Sequence, residues 1–365
     1  MGMIASVESP ASVSASRGGA VLPPLRVRTD LPDPDWDAFV SGHPQASAYH
    51  YSAWPRLIGR VFGHDTRMLS VESGGRTTAV LPLVVMRSRL FGRFVVSLPF
   101  LNAGGILSND PEATRALVEA AIAAARDDGA TYLELRHAAR ICPELAERRH
   151  KVGMALTLEG SVEAQWNALD RKVRNQVRKA EKSGLTVAAG GSELVPDFYD
   201  VFSRNMRDLG TPVFPVALFE EAARTFPDQT RLFCVYSGTR PVASALLHRR
   251  GAWAEVIWAS ALREFNPMCA NVFLYWQVIQ AAIADGVRTF EFGRCTPGEG
   301  PFHFKQQWKA EAYPLVWEYW TKSGTMDFDA SPRNPKFARA VALWRRLPLA
   351  ATTAIGPRVV RGIPC

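Results

Sequence analysis

Residues 285–311, DGVRTFEFGRCTPGEGPFHFKQQWKAE, decide how this chain is read. Val287, Thr289, Glu291 and Gly293 alternate with Arg288, Phe290, Phe292 and Arg294, the period-two pattern of a strand, and Pro297, Gly298 and Gly300 then break it. Lys305 follows among Phe302, Phe304 and Trp308. A lysine held among aromatic rings is a candidate fixed positive charge for an oxyanion, because a low local dielectric strengthens its field. A surface lysine whose stem covers an apolar helix would leave the same pattern.

Working outward, the strand is preceded by a long apolar helix expected over 271–285, and the pair has an earlier counterpart. ARDDGATYLELR, residues 125–136, matches AIADGVRTFEFGR, residues 282–294, in form: a helix ending at a glycine, then a short strand. Around each copy, runs with strand periodicity alternate with helical ones. Strands are expected at 67–72, 77–87, 93–98 and 131–136 in the first half, and at 154–158, 185–188, 231–237, 242–249 and 253–259 in the second. An internal duplication of a mixed α/β unit follows, with its boundary near 138–151.

Length and charge agree. The 365 residues, 47% hydrophobic and 21% charged, suffice for about two domains. The net charge of +8 favours anionic partners such as phosphate-bearing metabolites, RNA or an acidic membrane surface. Five cysteines without a CxxC, and seven histidines without HxxxH or HExxH spacing, argue against a disulfide framework and a metal site, and a reducing cytoplasm fits them best. No run reaches the roughly 18–20 apolar residues of a membrane span. Residues 1–24 read as a disordered Ser-, Ala- and Gly-rich tail, in which Met1-Gly2 with Ser6 matches a short myristoylation pattern.

A basic helix is expected over 161–183. Trp166, Leu169, Val173, Val177 and Ala180 define its apolar face, and Arg171, Arg174, Arg178 and Lys182 form a cationic stripe on another. Such a stripe suits a phosphate-rich ligand, since arginine binds phosphate oxygens through a planar fork; a solvated face on a core-packed helix has the same pattern.

LDRKVRNQVRKAEKSGL, the GTPVFP turn at 210–215, NVFLYWQVIQAAIADG and FEFGRCTPGEGPFHFKQQWKAE together resemble the FemAB-like branch of the GNAT superfamily, especially the FemAB-related proteins associated with exosortase/PEP-CTERM systems. YHYSAW, LPLVVMRSRLFGR and SLPFLNAGG carry the likeness more weakly into the first half, so it spans residues 25–320. The resemblance implies two tandem GNAT-type domains, each a mostly antiparallel twisted sheet flanked by helices, placed at 25–145 and 151–322, with a C-terminal helix and tail at 323–365. It also implies transfer of an acyl or aminoacyl group to an amine of a cell-envelope or exopolysaccharide precursor. In aminoacyl-transferring members the donor is an aminoacyl-tRNA, and the lysine of a Phe-Lys pair is thought to stabilise the oxyanion; by position in the motif that pair is Phe304 and Lys305.

Two departures bear on the donor. A typical acetyl-CoA-dependent GNAT cradles pyrophosphate in an R/QxxGxG/A loop, where this chain has ALREFNPMCAN. The charged helical hairpin arm of some family members is missing as well. No bound cofactor is expected, and aminoacyl-tRNA, acyl-CoA and acyl carrier protein remain as donors. An acyl-CoA-dependent N-acetyltransferase acting on a small amine or amino sugar, and a non-catalytic pair binding RNA or an anionic glycan, remain as alternatives.

Lys305 is the expected oxyanion partner, and Glu291 the group that orients or deprotonates the amine, although a carboxylate beside Arg288 and Arg294 could equally be a structural ion pair. Arg174 and Arg178 are expected to hold the anionic part of a substrate, Arg294 to bind a phosphate or carboxylate, Asn271 and Tyr275 to line the cleft, and Phe304 and Trp308 to touch substrate. The expected partners are an anionic donor, tRNA included, and an amine acceptor, with no DNA. The arginine-rich apolar tail, FARAVALWRRLPLAATTAIGPRVVRGIPC, either lies on the inner face of an anionic membrane or packs as a helix on the second domain.

Overall fold

The computed structural model describes residues 24–325 and 337–364. The expected N-terminal tail, with its myristoylation pattern, and residues 326–336 lie outside the described residues.

The first half runs β1 (Arg26–Arg28), α1 (Asp33–Gly42), α2 (Ala53–Phe62), β2 (Asp65–Ser73), β3 (Arg76–Ser88), β4 (Gly92–Val96), β5 (Leu107–Ser108), α3 (Pro111–Asp127) and β6 (Tyr132–His137). The second runs β7 (Ala146–Thr157), α4 (Val162–Ala168), α5 (Arg171–Lys182), β8 (Leu185–Gly190), α6 (Val195–Leu209), α7 (Val216–Thr225), β9 (Thr230–Ser237), β10 (Arg240–Arg250) and β11 (Trp253–Ala261). It continues through α8 (Ala270–Ala284), β12 (Thr289–Cys295), α9 (Gly300–Gln306) and β13 (Glu311–Thr321), and α10 (Ala338–Trp344) and α11 (Leu349–Val360) close the chain.

All thirteen strands belong to one sheet, in the order β1-β2-β3-β4-β6-β13-β7-β12-β11-β10-β9-β8, with β5 beside β3. The pairing is antiparallel except at β4–β6 and β11–β12. Each parallel pair is joined by a helix, α3 or α8, and these are the two copies of the unit seen in the sequence. Helix α8 is apolar nearly all round because the core covers it, with Phe273, Leu274, Trp276, Val278 and Ile279 all buried.

One strand is new and two expectations are corrected. Strand β13, which the sequence pattern did not reveal, stands between β6 and β7 and stitches the halves into one sheet. Strand β7 begins at Ala146, eight residues before the expected start, because the charged stretch AERRHKV pairs with β13 rather than forming a linker. The basic helix is two helices: Leu169 is extended, with ψ 147°, and Asp170 sits before the first turn of α5, where a carboxylate suits the helix dipole. Trp166 turns back onto Trp276, ring centroids 5.1 Å apart.

The C-terminal helices bridge both halves. Arg345 Nη2 donates to the Leu209 carbonyl and Arg361 Nη2 to that of Gly63. Gly356 touches the Val213 backbone so closely that a Cβ there would sit 2.9 Å from Val213 N. Among the described residues no helix is long and apolar enough to cross a membrane.

Candidate active site

Strands β11 and β12 pair in parallel only through Trp253–Thr289, Ala254–Phe290 and Glu255–Glu291, and then separate. The last pair in register is two carboxylates, so Glu255 and Glu291 stand together at the fork. Both are buried, at 2% and 9% exposure. Tyr49 Oη donates to Glu255 Oε2 at 2.5 Å, and Asn102 Nδ2 donates to Oε1. Trp253 Nε1 donates to Glu291 Oε1 at 3.1 Å and Tyr313 Oη to Oε2 at 2.5 Å. Residues from both halves therefore assemble the site.

Backbone geometry makes this arrangement reachable. Gly293, at φ +71°, takes the left-handed conformation that glycine accepts freely, and the β12–β7 register shifts between Glu291 and Arg294. The bulge ends the simple alternation. Through Ala155 and Gly153, which lie two apart on β7, Glu291, Arg294 and Tyr313 come to one face. A Cβ at Gly153 would collide with the Tyr313 ring, which crosses β7 at that point to reach Glu291.

Lys305, on α9, turns back under this bulge. It is 6% exposed, and its Nζ donates to the carbonyls of Gly293 at 2.8 Å and Arg294 at 3.0 Å, leaving the third of its three N–H donors for a ligand. Burial pushes its pKa down to about 8, against the favourable charges of Glu255 and Glu291. Burial pushes Glu255 up to about 8, with the nearby charge of Glu291 adding to the effect. Glu291 is raised by burial, offset by the Tyr313 and Trp253 donors. A carboxyl group and an ammonium that both titrate near neutrality can exchange a proton with an amine and hold positive charge beside a carbonyl.

The other expected residues divide. Asn271 and Phe304 line a cavity of about 350 Å³ with Lys172, Gln176, His303 and Gln307 at the start of α8. Arg294 lines a different cavity, between the halves. Trp308 is fully buried and Tyr275 is 6% exposed; both pack with Phe292 and Phe304, and neither lines the two cavities. Arg178 lies over the Trp166 ring at 5.3 Å. Neither Arg178 nor Arg174 lines these two cavities; Lys172 and Gln176 present that face of α5 instead. Glu255, Tyr49, Asn102 and Tyr313 were missed. The signal for Glu255 was a single carboxylate inside the apolar strand WAEVIWA.

The loop before α8 winds into a 3-10 helix, Arg263–Met268, whose amides bond within it, as Phe265 N to Leu262 O and Cys269 N to Asn266 O. The first turn of α8 has no side-chain cap, whereas Asp110 caps α3 at the matching place in the first half by accepting from Glu112 N at 2.8 Å.

Residues 167–306 match the family model described as an acetyltransferase (GNAT) domain. The solved structure of a tandem GNAT protein from the clavulanic acid biosynthesis pathway superposes with a TM-score of 0.52 at 13% identity, covering 83% of this chain and all of that one. The fold is a tandem GNAT fold. FemX superposes with a TM-score of 0.62 at 15% identity over 80% of this chain and 96% of its own. L-PGS from Bacillus licheniformis does so with 0.53 at 11% identity over 90% and 97%. No curated protein matches the chain in sequence.

Proposed function

We propose that this tandem GNAT protein transfers an acyl or aminoacyl group from an activated ester or thioester to an amine, at the fork between β11 and β12. The observation that carries the reading is the buried Glu255–Glu291 pair facing Lys305 where the two strands part. The acceptor nitrogen attacks the donor carbonyl carbon; a C–N bond forms as the C–O or C–S bond breaks. Glu255 takes the proton leaving the nitrogen and returns it to the departing oxygen or sulfur. Lys305 holds its third N–H toward the oxyanion, while Tyr49, Asn102, Trp253 and Tyr313 fix the carboxylates. Because the donor is already activated, positioning supplies much of the acceleration and no covalent enzyme intermediate is needed.

The donor enters from the cavity at the start of α8, where Lys172 and the free amides of the first turn suit an anion. The wound 3-10 loop lacks an open cradle for pyrophosphate, which favours aminoacyl-tRNA or an acyl carrier over acyl-CoA. The likeness to FemX and the resemblance to exosortase-associated FemAB-related proteins support a cell-envelope or exopolysaccharide precursor as acceptor. To test this, the protein is offered aminoacyl-tRNA, acyl carrier protein and acyl-CoA donors with labelled acyl groups and a panel of amines. Amide product from at least one donor, lost in Lys305→Ala, is expected; no product from any donor contradicts the reading.

A further inference from the structure

A second cavity, of about 480 Å³, lies between the two halves, within the roughly 300–1,000 Å³ typical of small-molecule pockets. Its floor is Trp317 and Tyr319 of β13, the β3–β4 turn adds Leu90 and Phe91, and Val341, Trp344 and Val360 of the C-terminal helices cover it. These walls are apolar. One side differs, for Arg148, His150 and Lys151 of β7 and Arg294 of β12 all line it.

The cations are seated on the aromatic floor. Arg294 lies over the Trp317 ring at 5.4 Å, Arg148 over Tyr319 at 5.6 Å, and His150 meets Trp317 edge-on at 5.1 Å. Of the lining groups, Glu134 is held by Arg136 Nε at 2.6 Å and Tyr319 Oη at 2.9 Å, and Lys151 Nζ donates to Thr296 Oγ1 at 2.6 Å. Burial, with the charges of Lys151 and Arg148, pushes His150 down, as expected where positive charge is concentrated. Arg294 is also the residue whose carbonyl anchors Lys305, and the bulge sets it on the same face as Glu291, opposite β7 residues two apart, roughly 7 Å along the strand. The cationic side therefore lies between the apolar chamber and the reaction centre.

We propose that this cavity seats the acceptor, an amphiphile whose apolar chain fills the chamber, whose anionic group meets Arg148, Lys151 and Arg294, and whose primary amine extends along β12 to Glu255 and Glu291. This rests on the transferase reading for the amine's role but not for binding.

Binding is therefore measured without a donor, by titrating the full-length protein and following tryptophan fluorescence and heat. Dodecyl phosphate supplies chain and anion, 2-aminoethyl phosphate the head alone, and dodecyltrimethylammonium the chain without the anion. Saturable binding of dodecyl phosphate is expected, with the other two at least about tenfold weaker because each lacks half the complementarity. Ala340→Trp, which fills the chamber, and Arg148→Gln should each weaken dodecyl phosphate about tenfold while melting is retained. Equal binding of the chain without the anion, or no effect of either cavity variant when folded, overturns the proposal. Transfer to short hydrophilic amines with no binding of dodecyl phosphate overturns this site while leaving the transferase reading intact. Intact binding with 2-aminoethyl dodecyl phosphate never acylated supports the site and counts against the transferase reading.

Discussion

Glu134 and Glu291 occupy matching places in the two copies of the helix–strand unit, yet their surroundings differ. In TYLELR, Arg136 folds back onto Glu134 two residues away, and both are buried as a closed ion pair. In TFEFGR, the bulge at Gly293 carries Arg294 away, so Glu291 meets neutral donors and a second carboxylate instead. On the proposed reading, this assigns the carboxylate–lysine chemistry to the second half. It also gives a sign to pH dependence. The folded state keeps a proton on Glu255 from its ordinary 4.5 up to about 8, so it binds more protons than the unfolded chain there, and stability falls as pH rises through that window. Lys305 acts oppositely: with its pKa lowered from 10.5 to about 8, the unfolded chain binds more protons between those values, and stability rises with pH across them. Glu255→Gln has no such proton to lose. Its melting temperature relative to wild type should therefore climb between pH 5 and pH 8, and a difference independent of pH would show that Glu255 titrates normally. The Lys305 position was legible from its aromatic neighbours, and Glu291 from the strand pattern. Glu255 was less so, because its importance comes from a partner 36 positions away in the chain, brought alongside only by the parallel pairing.

At the scale of elements, what could be read was what repeats locally. The helix–glycine–strand units, the β2–β3 hairpin and the apolar α8 follow from periodicity and turn residues alone. Strand β13 did not, because EAYPLVWEYWT holds a proline and scattered carboxylates, which speak against an interior strand until Pro314 is seen beside Val152 and Glu318 is found engaging His137 and the Cys142 amide. The passage of the Tyr313 side chain over β7 has a direct consequence at Gly153. A methyl group there must push the Tyr313 ring aside and break its bond to Glu291 while leaving the sheet ladder in place. Gly153→Ala is expected to lower kcat about tenfold or more, as loss of a charge-linked hydrogen bond does, with melting changed by far less than a core truncation would cause. Unaltered kcat in a folded Gly153→Ala protein would remove Tyr313 from the site.

Across the whole molecule, one sheet and the C-terminal helices fix the halves against each other, and this is what brings Tyr49 and Asn102 of the first half onto Glu255 of the second. The duplication was visible in the sequence; the joint between copies was not, because it is made by a strand from the far end of the chain. In the proposed account the cavity at α8 takes the donor, the inter-half cavity takes the acceptor, and both serve a single carboxylate–lysine cluster. The most direct test of that cluster is single-turnover transfer with saturating donor, comparing wild type with Glu255→Gln and Lys305→Ala across pH. Catalysis by this cluster predicts a rate maximum near pH 8 in wild type, the acid limb lost in Glu255→Gln, and a rate reduced about 10²–10³-fold in Lys305→Ala with donor affinity retained. Transfer at wild-type rates in both variants would contradict it.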